Sequence, residues 1–259
     1  MKTNPENISH DPLIRTSYFR FYEELNDFLP QNERKRSFSY RFTGTPSVKN
    51  TIEAIGVPHA EVDLILINGE SVGFDELIKG GERISVYPVF ESIDITPVVH
   101  LRPKPLRVSR FIVDVNLGKL AQKLRLLGFD ALFRNDYEDD EIVKISVREK
   151  RIILTRDKGV LKHSDATRGY WLRSDDPKKQ LIEVIGRLNL QNSFRPFSRC
   201  SNCNGGLIAV NNKEELNLDQ EILNTFHHFW KCVDCGNIYW KGSHYDKICN
   251  WVEQLKIVS

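Results

Sequence analysis

Two short runs of branched apolar residues, 111–113 (FIV) and 151–154 (RIIL), each lead into an aspartate, Asp114 and Asp157. Between them Leu117, Leu120, Ala121, Leu124 and Leu127 recur at spacings of three and four, one apolar helical stripe with Lys119, Lys123 and Arg125 elsewhere on the helix. Gly128 ends that helix, residues 129–133 resume an extended run, and 138–149 (EDDEIVKISVRE) places acids in a first turn and basic residues near the end, as the helix dipole favours. Strand, helix, strand, helix, strand predicts parallel strands whose carboxyl ends share an edge. Asp114 and Asp157 are therefore expected at one edge of one sheet. Beyond them the pattern predicts a loop or short helix (KGVLKHSDATRG), a strand (YWLR), and a helix opened by Asp176-Pro177 with Leu181, Ile182, Val184, Ile185 and Leu188 on its buried face. The result is a compact α/β domain.

The earlier part of the chain has a different rhythm. Residues 17–30 and 36–44 alternate in part and flank a turn-like QNERK, a hairpin candidate. Ser47 then caps a short helix carrying Val48, Ile52 and Ile55, stopped by Gly56 and Pro58. VDLILI reads as a strand, Asn68-Gly69 as a tight turn, and ERISVYPVF as a last strand. This order is that of a small α+β β-grasp domain and resembles the ubiquitin-like and sulfur-carrier group. Carriers end in an exposed Gly-Gly tail, whereas here the last strand runs on into ESIDITPVV, which argues against carrier chemistry. Residues 1–13 read as a polar leader, and 91–107 as a proline-interrupted, basic linker with Arg102, Lys104 and Arg107.

At 259 residues, with 40% apolar and 28% charged residues, the chain is expected to hold more than one globular domain. A formal charge of +2 gives no global attraction to nucleic acid, so any such partner must be held by local patches. Neither a secretory leader nor a membrane-spanning run is apparent, which makes the cytoplasm the expected compartment and a membrane no partner. A nucleotide-dependent oxidoreductase is disfavoured because no GxGxxG follows a strand.

Four of the five cysteines form two CxxC pairs, Cys200/Cys203 and Cys232/Cys235, each with a nearby glycine. Four thiolates at that spacing suit a closed tetrahedral Zn²⁺ site, with an iron–sulfur cluster or a redox dithiol as the competing use. Aromatic residues after the first pair, Phe226, Phe229, Trp230, Tyr239, Trp240, Tyr245 and Trp251, could form either a core or a stacking surface for unpaired bases. A terminal helix is expected from Ser243, with Cys249 as a small buried hydrophobe.

The acids expected at the sheet edge are Asp114, Asp139 and Asp140, Asp157, and Asp175. Taken singly, each is also what a turn or helix cap would use; Asp176 reads as a cap, and spacing does not separate Asp139 from Asp140. Carboxylates gathered at one edge repel unless cations compensate them, and Mg²⁺ or Mn²⁺ would do so while activating water.

FIVDVNLGKLAQKLRLLGFDA, the DDE segment, RIILTRDKGVL, YWLRSDDPKKQL and a CxxC element ending in YWKGSHY together resemble the Mut7-C ribonuclease family, over about residues 14–253. The resemblance implies a PIN-like three-layer sheet domain with a C-terminal zinc ribbon, preceded by a ubiquitin-like Mut7-C domain. Expected boundaries are 14–92 for the β-grasp domain, 108–194 for the PIN-like domain, and 195–259 for the ribbon and terminal helix. It implies a metal-dependent ribonuclease with Asp114, Asp140 and Asp157 as catalytic carboxylates and Asp139 and Asp175 as further acids. Mg²⁺ or Mn²⁺ would be the catalytic ion and Zn²⁺ the structural one, on Cys200, Cys203, Cys232 and Cys235. RNA would meet Lys119, Arg125, Arg156 and Lys158, and the β-grasp domain would meet a protein partner. In the helix after the first acid, Gln122 and Lys123 stand where the family commonly has arginine and tryptophan. The competing reading is a non-catalytic RNA-binding or ribosome-associated protein on the same fold.

Overall fold

The computed structural model describes residues 14–88 and 109–258, so the leader, the strand continuation past Pro88 and the basic linker expected at 91–107 lie outside the described residues. The chain divides into two compact units, Met1–Pro105 and Leu106–Ser259.

The first unit is the expected β-grasp. Its strands are β1 (Ile14–Phe21), β2 (Phe38–Thr43), β3 (Val62–Ile67), β4 (Glu70–Ser71) and β5 (Arg83–Pro88), with helix α1 (Val48–Ile55) between β2 and β3. They form one sheet in the order β2-β1-β5-β3-β4, in which only β1 and β5 run parallel. Alternation along β1 buries Phe19 and Phe21, in register with Ile84 and Val86 of β5, and Ile52 of α1 and Ile65 of β3 are fully buried as well. Ser47 caps α1 as expected, its Oγ accepting from the Asn50 amide at 3.2 Å. The expected strand over 17–30 is corrected: it breaks after Phe21, and Glu23–Phe28 is a 3-10 helix. Leu25 and Phe28, both buried, lie three residues apart, which is one 3-10 turn and not a strand period.

The second unit is built on a four-stranded, wholly parallel sheet. In chain order it runs β6 (Arg110–Val113), α2 (Gly118–Leu126), β7 (Asp130–Leu132), α3 (Asp139–Glu149), β8 (Ile152–Thr155), α4 (Lys158–Lys162), β9 (Gly169–Trp171) and α5 (Pro177–Arg187). The strand order is β7-β6-β8-β9, and Phe111 pairs with Ile152 and Val113 with Leu154. Phe111, Val113 and Leu154 bury one sheet face against Leu120 and Leu124 of α2 and Leu181 and Val184 of α5. Ile112 and Ile153 point to the other face by strand alternation, and α3 and α4 contact β6, β8 and β9. Helices on both faces of a parallel sheet make the three-layer, PIN-like arrangement.

The ribbon follows as β10 (Leu207–Ala209), α6 (Gln220–Thr225), β11 (Phe229–Cys232) and β12 (Ile238–Trp240), an antiparallel sheet in the order β10-β11-β12. The final helix, α7 (Ser243–Val258), returns Ile248, Val252 and Leu255 to the core of the parallel sheet. Cys249 is half-buried on this helix.

Candidate active site and metal centre

The carboxyl ends of β6, β8 and β9 and the start of α3 all face one end of the parallel sheet, and each brings an acid there. Asp114 follows β6 directly, is only 6% exposed, and continues the ladder through its amide to the Leu154 carbonyl at 3.0 Å. Its Oδ2 accepts from Thr155 Oγ1 at 2.5 Å, and the same Oγ1 accepts from the Asp157 amide at 2.8 Å. One buried hydroxyl therefore ties the end of β6 to the loop that carries Asp157. Asp157 caps α4, its Oδ1 accepting from the Gly159 amide at 2.6 Å.

The two acids at the start of α3 part company. Partial desolvation, then the charges of Asp157 and Asp114, hold the Asp139 carboxyl above the usual aspartate value. Asp140 is 69% exposed and lies 3.4 Å from His163 Nε2. Both acids are exposed; Asp139 is the one whose carboxyl feels Asp157 and Asp114, and Asp140 is the one beside His163. Neighbouring residues on a helix point about 100° apart, so the two carboxylates leave α3 in different directions. Asp175 sits exposed in the loop after β9, and Asp176 caps α5 by accepting from the Lys178 and Lys179 amides.

Among the basic residues, Lys119 opens α2 after Asp114, and Arg156 and Lys158 flank Asp157 in the chain. Lys119 and Arg156 are exposed, Lys158 Nζ lies 4.2 Å from the centre of the Trp171 ring, and the Trp171 indole donates to the Arg156 carbonyl at 3.0 Å. Arg125 does not belong with them. It is buried, and its guanidinium donates to the Ala131, Ser201 and Asn202 carbonyls, which corrects its expected role in gripping RNA. Lys123 rests its ammonium 5.3 Å from the centre of the Trp251 ring.

Cys200, Cys203, Cys232 and Cys235 bring their sulfurs within 4.8 Å of one another, the only such group of three or more potential ligands among the described residues. Although burial pushes the Cys200 thiol up, the Tyr239 hydroxyl and the Cys203 and Asn202 amides bring it down to about 6. Burial, reinforced by the neighbouring sulfurs, pushes Cys203 up to about 12. Four sulfurs this close ionise together only with a cation among them, and a closed all-thiolate set is the ligand chemistry of Zn²⁺. Gly205 is required beside it, since a Cβ there would stand 2.8 Å from Cys232 Sγ and 2.4 Å from Asp234 Oδ2.

The first knuckle is fastened to the opposite end of the sheet from the acids. Asn204 Oδ1 accepts from the Ala131 amide at 3.0 Å, its Nδ2 donates to Asp130 Oδ1 at 2.8 Å, and Asp130 is also held by Arg151 at 2.7 Å. Gly128, at φ +92°, lets the Arg195 carbonyl pass within 2.1 Å of where a Cβ would sit. Sequence reasoning did not single out Thr155, whose only signal is a hydroxyl two residues before Asp157 in an otherwise apolar strand, nor the Asp130–Arg151–Asn204 clamp, which joins three distant segments.

Fold and site together define a PIN-like α/β domain with an appended cysteine ribbon and a ubiquitin-like unit before it. The Mut7-C RNAse domain model matches residues 109–252 and the Mut7-C ubiquitin model matches residues 14–94, so the chain belongs to the Mut7-C family. No curated protein and no solved structure matches it. Membership supports a nuclease-type function. No helix among the described residues is long and apolar enough to cross a membrane.

Proposed function

We propose that the protein is a metal-dependent ribonuclease that hydrolyses RNA phosphodiester bonds at Asp114, Asp139 and Asp157. The observation that carries this reading is the bridge at the ends of neighbouring parallel strands, where Thr155 Oγ1 donates to Asp114 Oδ2 and accepts from the Asp157 amide; partial desolvation and the charges of Asp157 and Asp114 raise the nearby Asp139 carboxyl. Acids delivered by separate segments to one sheet end, at an electrostatic cost, fit a hard divalent cation as the missing partner. Mg²⁺ or Mn²⁺ held by the three would supply Lewis-acid polarisation of water and of a phosphodiester oxygen. Thr155 fixes the Asp114 carboxylate and the Asp157 backbone in one orientation. Lys119, Arg156 and Lys158 receive the flanking phosphates, and Asp175 is a further acid at the rim. Zn²⁺ on Cys200, Cys203, Cys232 and Cys235 is structural. The substrate is RNA in the cytoplasm, and the ubiquitin-like unit engages a protein partner through a surface that includes the exposed Ile14 and Tyr18.

Incubation of the full chain with end-labelled single-stranded and structured RNAs, with Mn²⁺ and without it, tests this reading. Cleavage that needs Mn²⁺ and falls on the order of 10²-fold or more in Asp157→Asn supports it. RNA binding with no cleavage under any of these conditions would replace it with the non-catalytic, ribosome-associated binder.

A further inference from the structure

We infer that the aromatic-walled cavity where the ribbon meets α7 is a subsite for a nucleobase of the bound RNA, an inference that rests on the ribonuclease reading. The cavity has a volume of about 360 Å³, within the range of pockets that take a small planar ligand. Phe197, Trp230 and Tyr245 line it as near-parallel rings: Phe197 and Tyr245 stack at 4.1 Å and 19°, and Trp230 lies 6° from the plane of Tyr245. All three are half-buried, while the ribbon packs a separate core around Leu216, Leu223 and Phe229. Phe197 also packs on the core of the parallel sheet and Phe226, Ile238 and Trp240 on that of the ribbon, so the cavity lies between the two cores and its aromatic walls are held by both.

The polar groups of the cavity select among apolar occupants. Ser201 lines the wall beside the Tyr239 hydroxyl, Arg199 lines it as well, and Lys241, just outside the lining, holds its ammonium 5.6 Å from the centre of the Tyr245 ring. Parallel rings with hydroxyls in the wall and a cation over one ring fit a heterocycle attached to a phosphate chain, because every base offers a stacking face and the ammonium meets the backbone. A lipid tail would gain nothing from the cation or the hydroxyls.

The position of the cavity adds a length requirement. Leu126, at the end of α2, lines it, whereas Gly118 starts the same helix four residues after Asp114. The helix alone separates the two places by about 12 Å along its axis. An RNA that fills both must span several nucleotides, so this subsite favours chains over dinucleotides.

The test uses the zinc-loaded full chain without added Mg²⁺ or Mn²⁺, so that binding is read apart from cleavage. A 12-nucleotide oligoadenylate, a dinucleotide and AMP are titrated while tryptophan fluorescence and oligomer anisotropy are followed. We expect the oligomer to quench fluorescence and to bind on the order of 10-fold more weakly to Tyr245→Leu, with zinc content and Tm showing that the variant is folded. As a check that needs no variant, a 4-thiouridine oligomer should photocrosslink to the peptides carrying Phe197, Trp230 or Tyr245. Unchanged oligomer affinity in folded Tyr245→Leu, or crosslinks confined to other segments, would overturn the subsite. AMP binding as tightly as the oligomer would overturn it too, by assigning the cavity to a free nucleotide. Metal-dependent cleavage with an unmoved Tyr245→Leu affinity would remove the subsite alone; a Tyr245-dependent affinity with no cleavage would remove the nuclease reading alone.

Discussion

Thr155 and Asp114 share a buried hydrogen bond of 2.5 Å across neighbouring parallel strands, and the same hydroxyl accepts from the Asp157 amide. Thr155→Val keeps the volume and removes the bridge. Leaving a buried carboxylate oxygen without its donor costs about 1–3 kcal/mol, so chemical denaturation should show a loss in that range. Ribonuclease activity should fall with it while RNA affinity holds. A Thr155→Ser variant restores the hydroxyl and should recover most of the activity. Wild-type turnover in Thr155→Val would show that the bridge does not position the acids.

Asp139 and Asp140 are adjacent in sequence and differ in consequence. With the Asp139 carboxyl raised by desolvation and by Asp157 and Asp114, the folded state holds its proton more tightly than the unfolded chain. Stability from this group is then lost as pH rises through the window just above the usual aspartate value. At neutral pH, without divalent cations, Asp139→Asn should raise Tm and Asp140→Asn should not. Added Mn²⁺ should stabilise the wild type and Asp140→Asn, and Asp139→Asn much less, as read by calorimetry.

The clamp between sheet and ribbon responds to acid. Burial pushes the Asp130 carboxyl up, but the bonds from Arg151 and Asn204 and the charges of Arg151 and Arg199 outweigh it and hold it below the usual value. Its stabilisation is complete above the unfolded aspartate value of about 3.9 and is lost as pH falls through the lower folded value. Asp130→Ala removes one of the two carboxylates that hold the largely buried Arg151, Glu149 keeping its bond at 2.7 Å, and should cost about 1–3 kcal/mol at neutral pH, with a flatter decline than the wild type below about pH 4. Equal acid limbs for the two proteins would place the linkage elsewhere.

Cys203→Ser removes one of the four sulfurs. Zinc content should drop and amide exchange should rise across residues 195–240, since metal binding and ribbon folding are one equilibrium. Ile248, Val252 and Leu255 of α7 belong to the core of the parallel sheet, so exchange there should change less. Full zinc occupancy and wild-type exchange would contradict the structural role.

Much of this was legible in the residues because the signals are local. The 3.6-residue stripe of α2 and the branched runs of β6 and β8 define the parallel unit, and the aspartates follow from where those strands stop. Arg125 was not legible, because a charged residue on an amphipathic helix is ordinarily solvated; its burial depends on carbonyls of Ser201 and Asn202, far along the chain. Which of Asp139 and Asp140 is turned towards Asp114 and Asp157 depends on how α3 is rotated against the sheet, a matter of packing that spacing does not carry. Leu25 and Phe28 misled because a short apolar run fits a strand until its spacing of three is set against the burial.

Crystals of the protein soaked with Mn²⁺ and measured at the manganese absorption edge would locate the cation itself. An anomalous peak coordinated by Asp114, Asp139 and Asp157 is expected, lost in Asp139→Asn and kept in Asp140→Asn. A peak seated between Asp140 and His163, or none at the acids under conditions where RNA is cut, would contradict that assignment.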